Sequence, residues 1–210
     1  MAEVAADGTV SVKGTGTVTI KASAPLTDDY QAGEASYTLT VKDEAPATYT
    51  KVSEITSGAT YLIVAADANN YNGKGDKAAF AGDEAGNAVE VEPVEGTITG
   101  DFSACEFVIT AEGDAFVLEG PNGYVTGNSG TSYSRYIQVS SSKVTMSLTD
   151  AATLSAAKDG DGLVEDAFYF YYTKTSYNST SIEALYLNSD GKYKMGGTGR
   201  KYGVYLYKKN

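Results

Sequence analysis

Three polar stretches each set tyrosine beside asparagine: Tyr71 with Asn69, Asn70 and Asn72; Tyr133 and Tyr136 with Asn128; and Tyr177 with Asn178. Tyrosine offers a flat apolar ring and a hydroxyl, and asparagine offers a donor and an acceptor. Together they match the apolar faces and hydroxyls of a sugar ring. Any one of these tyrosines could equally cover a barrel end or brace a turn; as a set they point to saccharide binding. A second cluster, Asp159, Asp161, Glu165 and Asp166 in K-D-G-D-G-L-V-E-D, crowds oxygen ligands around two glycines. The twelfth position counted from Asp159 is Phe170 rather than a bidentate Glu, which excludes an EF-hand. A looser calcium site stands against a merely solvated acidic turn.

Catalytic chemistry has little to stand on. The chain contains no histidine, so a histidine triad, a histidine metal site and an imidazole proton shuttle are all excluded. The single cysteine, Cys105, can build neither a disulfide nor a thiolate cluster, and it reads as a small core residue. Paired carboxylates could still hydrolyse a glycosidic bond across a gap of about 5 to 10 Å. Glu90, Glu92, Glu95, Asp101, Glu106 and Glu119 are available, but Glu90 and Glu92 alternate onto one solvent face of a strand. The G-x-G triplets at Gly14, Gly73 and Gly160 lack the strand-to-helix setting of a phosphate loop. The expectation is a nonenzymatic protein with no cofactor.

A formal net charge of -11 over 210 residues opposes attraction to nucleic acid or to an anionic membrane. No long apolar run suggests membrane insertion. Seventeen Tyr and six Phe without Trp, among many Thr, Val and Gly, favour strands and turns.

The elements that must position these loops follow a period of two. In the first segment Val10 and Val12, then Val18, Ile20 and Ala22, then Tyr37, Leu39 and Val41 alternate with polar residues, predicting an antiparallel sheet. Residues 45–50, with Pro46, read as a linker between a segment at 1–44 and a larger domain at 51–210. The run Thr60–Ala66 is continuously apolar and suits burial on both faces. Phe107–Gly127 reads as a meander of three strands, carried by Phe107 and Ile109, Phe116 and Leu118, and Tyr124, with a partial echo at Phe168–Met195. Ala88–Val94 alternates as a further strand. Val144, Met146 and Leu148 continue from Tyr136, Ile137 and Val139 through a hairpin at Ser140–Lys143, and Ser176–Ser181 reads as a long polar turn. Ten to twelve short strands imply an all-β domain, trefoil-like or barrel, with a β-sandwich as the alternative.

Two resemblances add to this. The run from Asp7 to Val41, through Asp7-Gly8-x-Val10, Gly16-Thr17-x-x-Ile20-x-Ala22 and Tyr30-x-x-Gly33-x-Ala35-Ser36-Tyr37-Thr38-Leu39-Thr40-Val41, resembles the C-terminal half of a group 2 bacterial immunoglobulin-like domain. That resemblance implies a spacer or adhesion module on an exported bacterial protein. The strands expected ahead of Asp7 are missing, so the partial sheet should present an edge open to self-association. Tyr49 to Lys209, opening with Tyr49, Val52, Gly58 and Tyr61–Val64 and closing with Val204–Lys209, resembles an uncharacterised all-β domain of exported Bacteroidetes proteins. This second resemblance implies export and surface display and brings no catalytic or binding residues. Joined to the polar tyrosine loops and the lack of histidine, it gives the expectation of a noncatalytic module outside the cell or on its surface, recognising glycan or a host surface protein, with a structural interaction module as the alternative.

Overall fold

The computed structural model describes residues 2–5, 7–42, 45–66, 75–127, 137–149, 164, 166–176, 179–196 and 203–210. The chain divides into two compact units, Met1–Ala45 and Pro46–Asn210.

The first unit holds two hairpins. Strand β1 (Ala2–Val4) pairs with β2 (Val10–Val12), and β3 (Gly16–Ala24) pairs with β4 (Gly33–Val41) over nine residues in register. The alternation places Val18 opposite Leu39 and Ile20 opposite Tyr37 on one face, with threonines and charges on the other. No described residue of this unit is buried, and β3 and β4 pair with no further strand among the described residues. The expected sheet of three runs is thus two separate ladders.

The second unit opens with β5 (Ala47–Val52), in which Tyr49 is fully buried. Residues 45–50 are therefore mostly strand and not linker. Pro46 stands just ahead of the ladder, where its missing N–H costs no strand hydrogen bond. The strands that follow are β6 (Ala59–Ala65), β7 (Ala78–Phe80), β8 (Ala88–Glu90) and β9 (Thr97–Gly100). A short 3-10 turn at Ser103–Cys105 leads to β10 (Phe107–Glu112), β11 (Ala115–Gly120), β12 (Gly123–Gly127), β13 (Ile137–Ser140) and β14 (Met146–Thr149). The last four are β15 (Tyr169–Ser176), β16 (Ser179–Leu187), β17 (Tyr193–Gly196) and β18 (Val204–Lys209).

Their pairings close a ring. β6 pairs with β10, β10 with β11, β11 with β14 and β14 with β15, all antiparallel. The ring then closes from Phe168, just ahead of β15, to Val204 of β18, and from β18 back to β6. Three pairs, β7 with β8, β12 with β13 and β16 with β17, branch from β6, β11 and β15 respectively. Six ring strands with three such caps have the connectivity of a β-trefoil, and a ring closed on itself is not the two facing sheets of a sandwich. The meander at Phe107–Gly127 is present as β10, β11 and β12. Its echo, however, does not match the threefold repeat: Phe107–Gly127 spans the last ring strand of one repeat and the first two strands of the next, whereas Phe168–Met195 spans the first three strands of the third.

The ring interior is filled from all six strands. Tyr61, Ile63, Phe107, Ile109, Leu118, Met146, Phe170, Val204 and Leu206 are buried there, and Phe80, Val125, Ile137, Leu185 and Tyr193 join them from the caps. β5 and β9 stand outside the repeats. They pair with each other, and β5 pairs with β18, so they lie over the outer side of β18 and β6. There a second core gathers Tyr49, Leu62, Val64, Ile98, Cys105 and Tyr207. The continuous apolar run of β6 thus feeds both cores, odd residues inward and even residues outward. Each such Leu, Ile or Phe contributes about 1.5 to 3 kcal/mol when withdrawn from water.

Three local readings differ from the ladder. β13 and β14 do not form a hairpin across Ser140–Lys143, because β14 pairs with β11 and β15 instead. Ser176 and Ser179 are register partners, so Ser176 and Ser179–Ser181 of the expected long turn belong to the paired strands β15 and β16. β8 ends at Glu90: Val91 is buried, while Val89 is exposed.

The turn between β7 and β8 ties the caps together. Asp83 accepts from Asn87 N and Nδ2, at 2.8 and 2.6 Å, and shapes the turn. Glu84 Oε1 accepts from Val139 N and Gly82 O from Asn122 Nδ2, both in or beside the second cap. Gly86 O accepts from Tyr193 N at 2.7 Å, and Asn87 Oδ1 from Lys192 Nζ, in the third.

Candidate functional site

Beside the second cap lies an open cleft of about 610 Å³, a volume suited to a small ligand. Two strands of the cap form one wall. Thr126 of β12 and Gln138 of β13 are directly opposed, so their side chains leave the same face, with Ser140 two residues further on. The other face of that pair sends Val125 and Ile137 into the core, which fixes the polar face outward.

Tyr172 of β15 forms the second wall. Its ring lies so close to Gly127 that an added Cβ there would sit 1.7 Å from the ring edge, and only glycine permits this approach. The Tyr172 hydroxyl donates to Glu183 Oε2 at 2.9 Å across the β15–β16 ladder, where the two residues are register partners. Glu183 is 6% exposed and shares a strand face with Leu185 and Leu187 of the ring core. Burial, followed by the hydrogen bond and the charge of Glu183, pushes the Tyr172 phenol well above its ordinary value, so it stays protonated and keeps donating.

The third side is Glu112, at the end of β10, with Lys143, Val144 and Thr145. Lys143 Nζ is paired with Glu112 Oε1, and that bond holds the Lys143 ammonium above its ordinary value. Among the described lining residues the cleft therefore offers an aromatic ring, an amide, hydroxyls and one neutralised ion pair, a set equipped for hydrogen bonding and stacking. A smaller hollow of about 300 Å³ lies between the first cap and the turn after β16, lined by Lys77, Ala78, Val89, Glu90, Leu187 and Gly191.

The residues expected from the sequence to bind ligand, Tyr71, Asn72, Asn128, Tyr133, Tyr136, Tyr177 and Asn178, lie outside the described residues, as do Asp159, Asp161 and Glu165. Asp166 is described: it is exposed, with φ of 60°. Among the described residues no three acidic, cysteine or histidine side chains gather as a metal site. The acids considered for hydrolysis are dispersed. Glu92 pairs with Lys77, Glu106 accepts from Tyr49 and Lys209, and Asp101 accepts from Ser103. Each hollow has one carboxylate among its described lining residues, Glu112 in the larger and Glu90 in the smaller. The cleft residues Thr126, Gln138, Lys143 and Tyr172 were not singled out from the sequence. Gln138 is two residues from the expected Tyr136. The alternation of Phe168, Phe170 and Tyr172, with Glu183 in phase with Leu185 and Leu187, is the signal that could have flagged a polar pair on a core-facing side.

No family model matches the chain, and no curated protein matches it. Among solved structures, the chain is similar to a ricin B-like lectin from Macrolepiota procera, determined in complex with lactose. The identity is 14%, the match covers 72% of this chain and 97% of the lectin, and the TM-score is 0.42.

Proposed function

We propose that the larger unit is a noncatalytic carbohydrate-binding module whose ligand occupies the cleft beside Tyr172. The observation that carries this reading is the juxtaposition, in one open hollow, of a tyrosine ring braced on Gly127 with the opposed side chains of Thr126 and Gln138. A sugar ring presents an apolar face to such an aromatic and equatorial hydroxyls to such an amide. Among the described lining residues the one carboxylate, Glu112, is already paired with Lys143 and has no opposed second carboxylate of the kind hydrolysis requires. The resemblances of Asp7–Val41 and Tyr49–Lys209 support display on the outside of a bacterial cell, with the first unit as spacer.

A glycan array that includes host mucin glycans and plant polysaccharides, followed by calorimetry on the best binder, tests the reading. Gln138→Ala and Tyr172→Ala are each expected to weaken binding about tenfold or more, the equivalent of one or two lost contacts. Silence across the array, or full affinity in both variants, would overturn the assignment of this cleft.

The first unit favours a second role, as an interaction module. Its apolar residues Val18, Ile20, Tyr37 and Leu39 share one uncovered face, and both hairpin edges are open among the described residues. Sedimentation velocity over a concentration series is expected to show self-association that Ile20→Lys abolishes; a monomer at all concentrations refutes it.

A further inference from the structure

The electrostatics of the cleft select among saccharides. Lys143 is the one cation among its described lining residues, and it is already bound to Glu112. Behind the Tyr172 wall stands the Glu183 carboxylate, 6% exposed, whose partner among the described side chains is the Tyr172 hydroxyl and not a cation. A buried charge is poorly screened, so its field reaches the cleft through the ring. The whole chain adds a net charge of -11.

A sugar carboxylate or sulfate entering here would meet no uncommitted cation among the described lining residues and would face the like charge of Glu183. A neutral saccharide meets no such opposition, since Thr126, Gln138 and the tyrosine ring bind through hydrogen bonds and stacking alone. We infer that the cleft takes neutral saccharides and discriminates against their uronic, sialylated and sulfated counterparts; this rests on the carbohydrate-binding reading above.

Matched pairs test it: lactose against 3′-sialyllactose, oligogalactan against oligogalacturonate, and dextran against dextran sulfate, each titrated into the full chain at about 50 mM and about 500 mM salt. The neutral member is expected to bind at least tenfold more tightly in every pair that binds, with the gap narrowing at high salt as the repulsion is screened. Equal affinity within a pair, or tighter binding of the charged member, overturns the inference while leaving the carbohydrate reading intact. Silence from every probe, neutral and charged, overturns that reading and the inference with it. Glu112→Gln releases Lys143 on an exposed part of the surface and is expected to shift the neutral-to-charged ratio at least fivefold toward the charged member. An unchanged ratio in a folded variant refutes the role given to the ion pair.

Discussion

Replacing Tyr172 with Phe removes one oxygen and leaves the ring in place on Gly127. That oxygen donates to Glu183 Oε2 at 2.9 Å, and Glu183 is withdrawn from water on the core-facing side of β16. Because the ring remains, no cavity forms, and the cost is that of depriving a buried carboxylate of a hydrogen bond. A bond to a charged group contributes about 1.5 to 3 kcal/mol net, so Tyr172→Phe should destabilise the larger unit by about 2 kcal/mol. For a unit of this size that corresponds to a fall in melting temperature of about 4 to 8 °C. Urea unfolding followed by tyrosine fluorescence and far-UV circular dichroism measures it. Glu183→Gln and the double variant complete a cycle whose coupling term should account for most of the loss. The reasoning fails if Tyr172→Phe unfolds within about 0.3 kcal/mol of the parent, or if Glu183→Gln costs the same with and without the phenol.

Two further predictions concern the backbone and the second core. Gly86 has φ of 67°, and a Cβ there would lie 2.0 Å from Tyr193 O, whereas Gly191, with φ of 76°, has open space around it. Gly86→Ala should therefore cost well over about 2 kcal/mol and Gly191→Ala only about 1 kcal/mol; equal losses in thermal unfolding would show that the contact between the first and third caps is slack. Burial, with Glu106 and Asp101 adding to it, pushes the Cys105 thiol up to about 11, and burial likewise pushes the Tyr207 phenol up to about 12. Both groups hold their protons more tightly in the folded chain. Their stabilisation is therefore complete below the unfolded thiol and phenol values, near about 9 and 10, and is lost as pH rises through the folded ones. The urea midpoint should fall between pH 8 and pH 10.5 and Cys105 should resist thiol reagents at pH 8; a flat profile would contradict the burial.

The parts of this fold that could be read from the sequence are those in which burial writes a period. β6 is the clearest case, since Tyr61 and Ile63 enter one core, Leu62 and Val64 the other, and the uninterrupted apolar run announces both. The three strands at Phe107–Gly127 were equally readable, because Phe107 with Ile109 and Phe116 with Leu118 recur at a spacing of two between glycine turns. Pairing partners were not. Chain proximity favours a hairpin between β13 and β14, yet ring closure assigns β14 to β11, more than twenty residues away, and nothing local encodes that choice. The pairing at the far ends of β15 and β16 was hidden because the sequence Ser176–Ser181 carries no alternation of apolar residues. The cleft was least visible: Thr126, Gln138, Lys143 and Tyr172 come from separate parts of the chain, share no spacing, and meet only through non-local pairing.

The ladder between β5 and β18 has a mechanical consequence. Tyr49 and Lys209 are register partners, and Asn210 closes the corner through hydrogen bonds to Thr48 and Thr50. The strand that opens the larger unit and the strand that finishes it therefore start and stop at the same point, running in opposite directions. Tension applied between residues 46 and 210 would open that ladder like a zip, one residue pair at a time, instead of shearing all its hydrogen bonds together. The first part of the unit to give way under such a load would be the second core that β5 and β9 cover, before the ring is disturbed.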